Sequence, residues 1–179
     1  GQTAGFTEEE LYRAANRAEA SLIRTEADEL TYALHIMVRY ELEKALLQGT
    51  LAVKDLPEAW NAKYQEYLGI QVPDNARGVL QDIHWAGGDM GYFPSYALGS
   101  AYAAQAWDDI TAGLGDGVLE AHIEKGDLSP LKDALHTRLW QYGNSREPAD
   151  LVKSLCGGEF DPTHYTRYLR RKYTDLYAL

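Results

Sequence analysis

Apolar residues recur at spacings of three and four through the first third of the chain. This period is that of one face of an α-helix, and it predicts a long amphipathic helix that ends at Gly49, a glycine suited to the position after a helix. The residues that carry the pattern are Ile23, Ala27, Leu30, Leu34, Met37 or Val38, Leu42, Ala45 and Leu46.

Helix start signals are frequent elsewhere in the chain. Thr7 before three glutamates predicts a capped helix from Glu8 to about Ala20, and Asp74 predicts a second capped helix that runs to about Trp85. Proline is tolerated in a first helical turn. It predicts helices over 57–67, from 94 onward, from 130 to about 143, and from 162 to the end of the sequence.

Alternating β patterns are scarce, and Leu51-Ala52-Val53 is the only short stretch that could pair as a strand. We therefore expect an all-α fold of about seven or eight helices with little or no strand. A chain of 179 residues suits one domain with a sizeable core, so we expect residues 1–179 to form a single all-α domain.

Composition excludes some partners. The formal net charge is −10, which argues against nucleic acid and against anionic membranes as partners. No apolar run is long enough to cross a bilayer, and no N-terminal signal segment is evident. Cys156 is the only cysteine, so no intramolecular disulfide can form, which fits the reducing cytoplasm.

The densest candidate chemistry lies between Gly78 and Tyr96. Gln81, Asp82 and His84 are followed by glycines at 87, 88 and 91 and by Pro94. A polar run interrupted in this way is typical of the rim of a cleft between two helices. His84 can donate to a developing oxyanion or to a substrate carboxylate, or it can be a satisfied, partly buried histidine.

The neighbours of His84 allow two interpretations each. Tyr92 and Tyr96 flank the predicted start of the Pro94 helix, where their phenols can hydrogen-bond an oxyanion or simply line an apolar wall. For Asp82 and Trp85 we favour structural roles: a carboxylate that holds a side chain or loop, and a packed indole that needs one hydrogen-bond partner.

Arg24 and Asp28 are four residues apart in the predicted long helix, so they can pair on one face. Such a pair is usually a weak surface contact, whereas a buried arginine can bind a substrate carboxylate with two parallel hydrogen bonds. His35 lies two turns after Asp28, and we interpret it as a core histidine bonded to a neighbour.

No spacing in the chain predicts a metal site. The sequence contains no HEXXH, no pair of histidines four apart and no CxxC. His122, His136 and His164 fall on separate predicted elements. We therefore expect no metal ligands among these residues.

Two motifs resemble signatures of the M32 family of zinc metallocarboxypeptidases, the carboxypeptidase Taq type. They are Ile23-Arg24-x-x-Ala27-Asp28 and Gly78-x-x-Gln81-Asp82-x-His84-Trp85, and the stretches 26–32 and Phe160-Asp161-Pro162-x-x-Tyr165 are also similar to the family. The resemblance implies an all-helical, usually dimeric, cytoplasmic enzyme that removes C-terminal residues from peptides. Members are longer than this chain and hold zinc through HEXXH and a later glutamate, motifs that would precede Gly1. The chain would then be the C-terminal part of such an enzyme, inactive alone and without zinc of its own.

The resemblance also implies roles for individual residues. His84, Tyr92 and Tyr96 would be catalytic on the oxyanion side of the cleft, and Arg24 and Gln81 would bind the substrate. The remaining motif residues, Asp28, Gly78, Asp82 and Trp85, would be structural. The expected partners are peptide C-termini and a second copy of the chain, as a homodimer or by self-association. The alternative is a non-catalytic helical module that binds a peptide or partner protein.

Overall fold

The computed structural model describes all residues from 1 to 179 and contains nine α-helices and no β-strand. The all-α prediction is therefore confirmed. Three 3₁₀ turns, at Arg24–Glu26, Val53–Asp55 and Trp140–Tyr142, join some of the helices. The helices are α1 (Glu8–Ala15), α2 (Glu29–Leu47), α3 (Leu56–Leu68), α4 (His84–Gly87), α5 (Pro94–Leu114), α6 (Val118–Ile123), α7 (Ser129–Arg138), α8 (Pro148–Cys156) and α9 (Thr163–Tyr177).

The chain separates into two compact units, Gly1–Ala97 and Leu98–Leu179. The expectation of one domain over the whole chain stays a prediction. In the first unit, α2 packs against α3. Every fourth residue of α3 is buried, which gives the helix one continuous apolar stripe against Val38 and Leu42 of α2. The stripe consists of Leu56, Trp60, Tyr64 and Leu68.

The second unit contains most of α5 and the helices α6 to α9. Its buried side chains come from each of these helices except α7, and α7 joins them through the ion pair of Arg138 with Asp109 of α5 at 2.5 Å. The amide of Gln105 is also buried, and it donates to the Glu159 carbonyl at 2.9 Å and accepts from the Asp161 N–H at 2.8 Å. These bonds fix the chain between α8 and α9.

The proline signals locate four helices correctly, at α3, α5, α7 and α9. The predicted helix from 130 to 143 is shorter than expected, because α7 ends at Arg138 and a 3₁₀ turn continues to Gly143. Two short helices, α6 and α8, were not predicted individually.

The predicted start of the long helix is wrong. Helix α2 begins at Glu29, because the Asp28 carboxylate accepts the Thr31 N–H at 3.0 Å as an N-cap. Arg24 lies before the helix in a 3₁₀ turn. Helix α1 is also shorter than predicted and ends at Ala15, where the Asn16 side chain binds the Tyr12 carbonyl at 2.8 Å.

The helix predicted from Asp74 to Trp85 is wrong as well. Asp74 instead accepts the Arg77 N–H at 2.9 Å, and the residues up to Ile83 form turns. Contacts of Gln81 and Asp82 with distant side chains, described below, outweigh local helix propensity here. The possible strand at Leu51–Val53 is also wrong, since a 3₁₀ turn begins at Val53.

None of the helices combines the length and the apolar content needed to cross a membrane.

Candidate functional site

One carboxylate, that of Asp82, binds two buried arginines. Arg24 donates from Nε at 3.0 Å and from Nη2 at 2.8 Å to Oδ1 of Asp82. Arg39 of α2 donates from Nε at 2.7 Å to Oδ2, with its Nη2 at 2.6 Å from the same oxygen. The relative exposure is 7% for Arg24 and 0% for Arg39. Three segments distant in sequence are thereby joined through one side chain.

Gln81 completes what we call the Asp82 cluster, which consists of Arg24, Arg39, Gln81 and Asp82. The Gln81 side-chain oxygen accepts the Arg24 N–H at 2.9 Å and an Arg39 N–H at 2.8 Å. Its amide nitrogen donates to the Leu22 carbonyl at 3.0 Å. The third nitrogen of the Arg24 guanidinium, Nη1, donates to the Tyr32 hydroxyl at 3.0 Å. Every polar side-chain atom of the cluster therefore has a hydrogen-bond partner within the chain.

The Asp82 carboxyl is ionised at neutral pH. Its burial would raise its pKa, but the hydrogen bonds from Arg24 and the charge and hydrogen bonds of Arg39 outweigh that effect and hold the pKa below its usual value. Two cations and one anion thus lie together in the interior of the first unit. A buried charge needs such compensation, because its loss of hydration is otherwise costly.

Next to the Asp82 cluster lie the four rings of the aromatic cluster, which consists of His84, Tyr92, Phe93 and Tyr96. The buried Phe93 ring lies 4.4 Å from the His84 ring, centroid to centroid. Tyr92 and Tyr96 meet edge to face at 5.3 Å. The guanidinium carbon of Arg24 lies 4.9 Å from the centre of the Tyr96 ring, so the two clusters are in contact.

His84 has two different nitrogen environments. Its Nε2 is hydrogen-bonded to the Tyr96 hydroxyl at 3.0 Å. Its Nδ1 is buried without a hydrogen-bond partner and lies 3.9 Å from Oδ1 of Asp82. Which of the two groups donates in the Nε2–Tyr96 bond depends on which ring nitrogen carries the proton.

The two tyrosines differ in exposure. Tyr92 is 51% exposed, whereas Tyr96 is half-buried. Burial and the neighbouring Tyr92 phenol raise the pKa of Tyr96, so its hydroxyl stays protonated at neutral pH. The aromatic cluster therefore places the protonated Tyr96 hydroxyl and the exposed Tyr92 phenol beside the His84 imidazole, and hydroxyl and imidazole N–H groups are able to stabilise negative charge on a bound molecule.

The sequence motif residues Gly78 and Trp85 contribute packing. A Cβ at Gly78 would lie 2.7 Å from the Val72 side chain and 3.1 Å from the Asp74 carbonyl oxygen, so only glycine fits there. The Trp85 indole donates to the buried carboxylate of Glu43 at 2.7 Å and packs edge to face on Trp60. The indole N–H thus has the one hydrogen-bond acceptor that a packed tryptophan needs.

The structure brings together most of the residues singled out from the sequence. His84, Tyr92 and Tyr96 share the aromatic cluster, and Arg24, Gln81 and Asp82 share the Asp82 cluster. The predicted pairing of Arg24 with Asp28 is wrong. Besides capping α2, Asp28 accepts the Glu19 N–H at 3.0 Å, and Arg24 binds Asp82 instead because it lies outside the helix.

Sequence reasoning missed Arg39 and Glu43 of α2. Both are buried, and together with His35 they recur every fourth residue beside the apolar stripe that contains Val38 and Leu42. Charged residues that keep the phase of an apolar helix face are the signal that could have identified them, because such residues are buried together with that face.

His35 is a core histidine, as interpreted from the sequence. It is fully buried, and its Nδ1 is hydrogen-bonded to the Tyr64 hydroxyl at 3.1 Å. Burial first, and then repulsion by the Arg39 guanidinium, lower the pKa of His35 to about 4. The imidazole is therefore neutral at physiological pH.

The chain contains no group of three or more His, Cys, Asp or Glu side chains arranged to hold a metal ion. The three histidines of the second unit have other environments. His122 pairs with Asp127 at 2.7 Å and His164 with Asp108 at 2.7 Å, while His136 is exposed.

The family described as carboxypeptidase Taq (M32) metallopeptidase matches residues 1–173 of the chain. Carboxypeptidase 1 of Bacillus subtilis is 46% identical over 171 residues, which cover 96% of this chain and 34% of that protein. Thermostable carboxypeptidase 1 of Thermus thermophilus is 46% identical over 170 residues, which cover 95% of this chain and 33% of that protein. The chain thus spans about a third of the length of these curated relatives.

The fold of the chain is also similar to those of solved M32 carboxypeptidase structures. The M32 carboxypeptidase of Deinococcus radiodurans R1 superimposes with a TM-score of 0.93 at 42% identity, over 99% of this chain and 36% of that one.

We predict that Asp82→Asn lowers the free energy of unfolding of this chain by about 3–5 kcal/mol, because it leaves two buried guanidinium groups without an anion. Urea denaturation measures this loss. Asp74→Asn is the control, because Asp74 pairs with Arg77 at the surface, where a pair contributes about 1 kcal/mol or less. Equal losses for both variants would contradict the assigned role of Asp82.

We predict that the stability of the chain falls between about pH 6.5 and pH 4 through His35. In this window the unfolded chain binds a proton at His35 and the folded chain does not, so lower pH favours unfolding by up to about 3 kcal/mol. Below about pH 4 this contribution is constant. Denaturation of the wild type and of His35→Asn at several pH values checks the prediction. The slope should shrink in His35→Asn and persist in the exposed-site control His136→Asn.

Proposed function

The chain belongs to the carboxypeptidase Taq (M32) family of metallopeptidases, and on that premise we propose that it supplies the substrate-facing wall of a metallocarboxypeptidase. In this proposal the complete enzyme removes C-terminal residues from peptides by hydrolysis, and this chain is its C-terminal part. His84, Tyr92 and Tyr96 stabilise the negative charge that develops on the scissile carbonyl oxygen.

The observation that carries the proposal is the pairing of His84 with Tyr96 beside the exposed Tyr92. A chain of contacts runs from the Asp82 carboxylate past His84 Nδ1 to the Tyr96 hydroxyl on Nε2. Donors fixed before the substrate arrives lose little energy to reorganisation during the reaction.

The substrate-binding role predicted for Arg24 and Gln81 remains untested, and their contacts favour a different one. All three nitrogens of the Arg24 guanidinium have partners within the chain, and both polar atoms of the Gln81 amide do as well. Within the proposal, Arg24 and Gln81 therefore hold Asp82 and the turn before His84, and the substrate contacts come from the aromatic cluster.

The metal that the family name implies does not fit the residues of this chain, because they contain no cluster of metal-ligating side chains. Zinc in the complete enzyme would have to be held by residues outside these 179. The chain's own contribution is to orient the substrate and to donate hydrogen bonds.

The second candidate function is a non-catalytic helical module that binds a peptide or partner protein. Exposed apolar side chains on α2, among them Met37, Tyr40 and Leu47, are compatible with it and with the expected self-association. A homodimer, a cytoplasmic location and binding of peptide C-termini remain predictions. The alternative differs from our proposal in one measurable respect, since a binding module needs no intact aromatic cluster for catalysis.

We predict that this chain alone does not hydrolyse peptides and holds no stoichiometric zinc, because it lacks clustered ligands. Metal analysis of the purified chain, combined with an assay of amino acid release from peptides, checks this. One tightly bound zinc per chain together with carboxypeptidase activity would overturn the proposed division of roles.

We predict that His84→Ala lowers kcat of the complete enzyme by roughly a hundredfold without changing its zinc content. One donor aimed at developing charge is worth about 3 kcal/mol of transition-state stabilisation. His136→Ala is the control, since that histidine is exposed and lies far along the sequence from the aromatic cluster. If kcat of His84→Ala stays within twofold of the wild type, the catalytic proposal fails and the binding module is favoured.

A further inference from the structure

We propose that Glu43 is a positioning residue that fixes both His84 and Tyr92 from the inner side of the fold. The inference rests on the function proposed above, because it assigns to a residue outside both sequence motifs the task of holding the proposed catalytic side chains in place. Glu43 lies on α2, one turn after Arg39 of the Asp82 cluster.

Each oxygen of the Glu43 carboxylate has its own donor. Oε2 accepts the indole N–H of Trp85 at 2.7 Å, and Oε1 accepts the backbone N–H of Gly91. The relative exposure of Glu43 is only 5%. A buried carboxylate bound by two uncharged donors is an unusual feature of a protein core, and it calls for a reason beyond packing.

The two donors stand at the ends of what we call the connecting segment, residues 85–91. Trp85 directly follows His84, and Gly91 directly precedes Tyr92. Glu43 therefore holds the chain at the two points where it leaves the proposed catalytic histidine and where it arrives at the first proposed catalytic tyrosine.

Backbone hydrogen bonds within residues 83–90, among them Gly87 N–H to the Ile83 carbonyl at 2.8 Å and Asp89 N–H to the His84 carbonyl at 2.9 Å, hold the connecting segment to itself and not to the core. Every residue from 86 to 91 is exposed, so no buried side chain holds that stretch to the core. Gly88 and Gly91 have φ values of 87° and 83°, which favour glycine and its conformational freedom. A segment of this kind opens easily unless hydrogen bonds restrain its ends.

The chemistry of the contact requires a carboxylate. Two N–H donors point at two acceptor oxygens, and a glutamine offers only one oxygen, so its NH₂ group would face one of the donors. Glu43→Gln thus keeps the size of the side chain and is expected to break one of the two bonds. Since Arg39 on the same helix binds Gln81 and Asp82, α2 positions the chain both before and after His84.

The decisive experiment is a double-mutant cycle in the complete enzyme. We expect Glu43→Gln to lower kcat about tenfold while KM stays within about twofold, because the donors are displaced but the substrate contacts elsewhere persist. In a background that carries both His84→Ala and Tyr92→Phe, the same substitution should lower kcat by less than about twofold, because both groups that it positions are already absent.

The matched control is Glu41→Gln, the same substitution on the same helix. Glu41 pairs with Lys63 at 2.7 Å and accepts from the Tyr67 hydroxyl, away from the connecting segment. Its kcat should equal that of the wild type. Should Glu43→Gln fail to fold, Trp85→Phe removes one of the two bonds while keeping an aromatic ring. The same loss of kcat and the same non-additivity with the His84→Ala/Tyr92→Phe background are then expected.

The outcomes separate this inference from the proposed function. If His84→Ala lowers kcat but Glu43→Gln costs the same factor in the wild type and in the His84→Ala/Tyr92→Phe background, Glu43 acts through neither side chain and the inference is wrong. If Glu43→Gln leaves kcat unchanged, the inference is also wrong and the proposed function stands. If His84→Ala itself has no effect, the proposed function fails, and the positioning role fails with it.

Discussion

The structure of the first unit depends on the sharing of one carboxylate between two buried guanidinium groups. Arg24 comes from a 3₁₀ turn, Arg39 from α2 and Asp82 from the turns before α4, so no local sequence preference brings them together. Each arginine would be costly to bury alone, and so would the aspartate. The three segments consequently reach low energy only when all of them are in place. The ionic contacts of Asp82 explain why residues 74–83 form turns and not the helix that their sequence permits. These turns direct Gln81 and Asp82 inward.

The Asp82 cluster also determines the environment of His84. The imidazole lies between the Asp82 carboxylate on one side and the Tyr96 hydroxyl on the other, and the Arg24 guanidinium lies against the Tyr96 ring. The charged groups of Arg24, Arg39 and Asp82 thus lie on the inner side of His84, while the tyrosine phenols lie on the side toward solvent. In the function proposed above, a substrate that approaches from solvent would meet the Tyr92 phenol and the Tyr96 phenol, and the Tyr96 ring rests on the buried Arg24 guanidinium. Preorganised dipoles of this kind stabilise developing charge well.

Much of the fold could be predicted from the sequence, and the limits of that prediction have physical causes. Apolar periodicity and N-terminal prolines located the main helices because these signals are local. The start of α2 was missed because the Asp28 cap competes with an apolar pattern that continues upstream to Ile23. Of the candidate site, His84 was singled out through its motif, and Tyr92 and Tyr96 through their position beside the start of the Pro94 helix. Arg39 and Glu43 were not singled out. Their place in the phase of the buried face of α2 could have indicated that they are buried, but their partners lie about forty residues away, and a helix pattern carries no information on such pairing.

Groups that act on a substrate cannot be immobilised by their own burial, because burial would remove them from the substrate. Tyr92 is exposed, and the connecting segment before it is exposed and rich in glycine. In the positioning role proposed above, the restraint comes from directional bonds to a rigid element. Helix α2 binds the chain before His84 through Arg39 and after His84 through Glu43. Apolar packing alone would leave the segment free to slide, since it specifies contact area rather than direction. Buried polar side chains on a core helix thus follow from the need to keep the outer side chains both exposed and ordered.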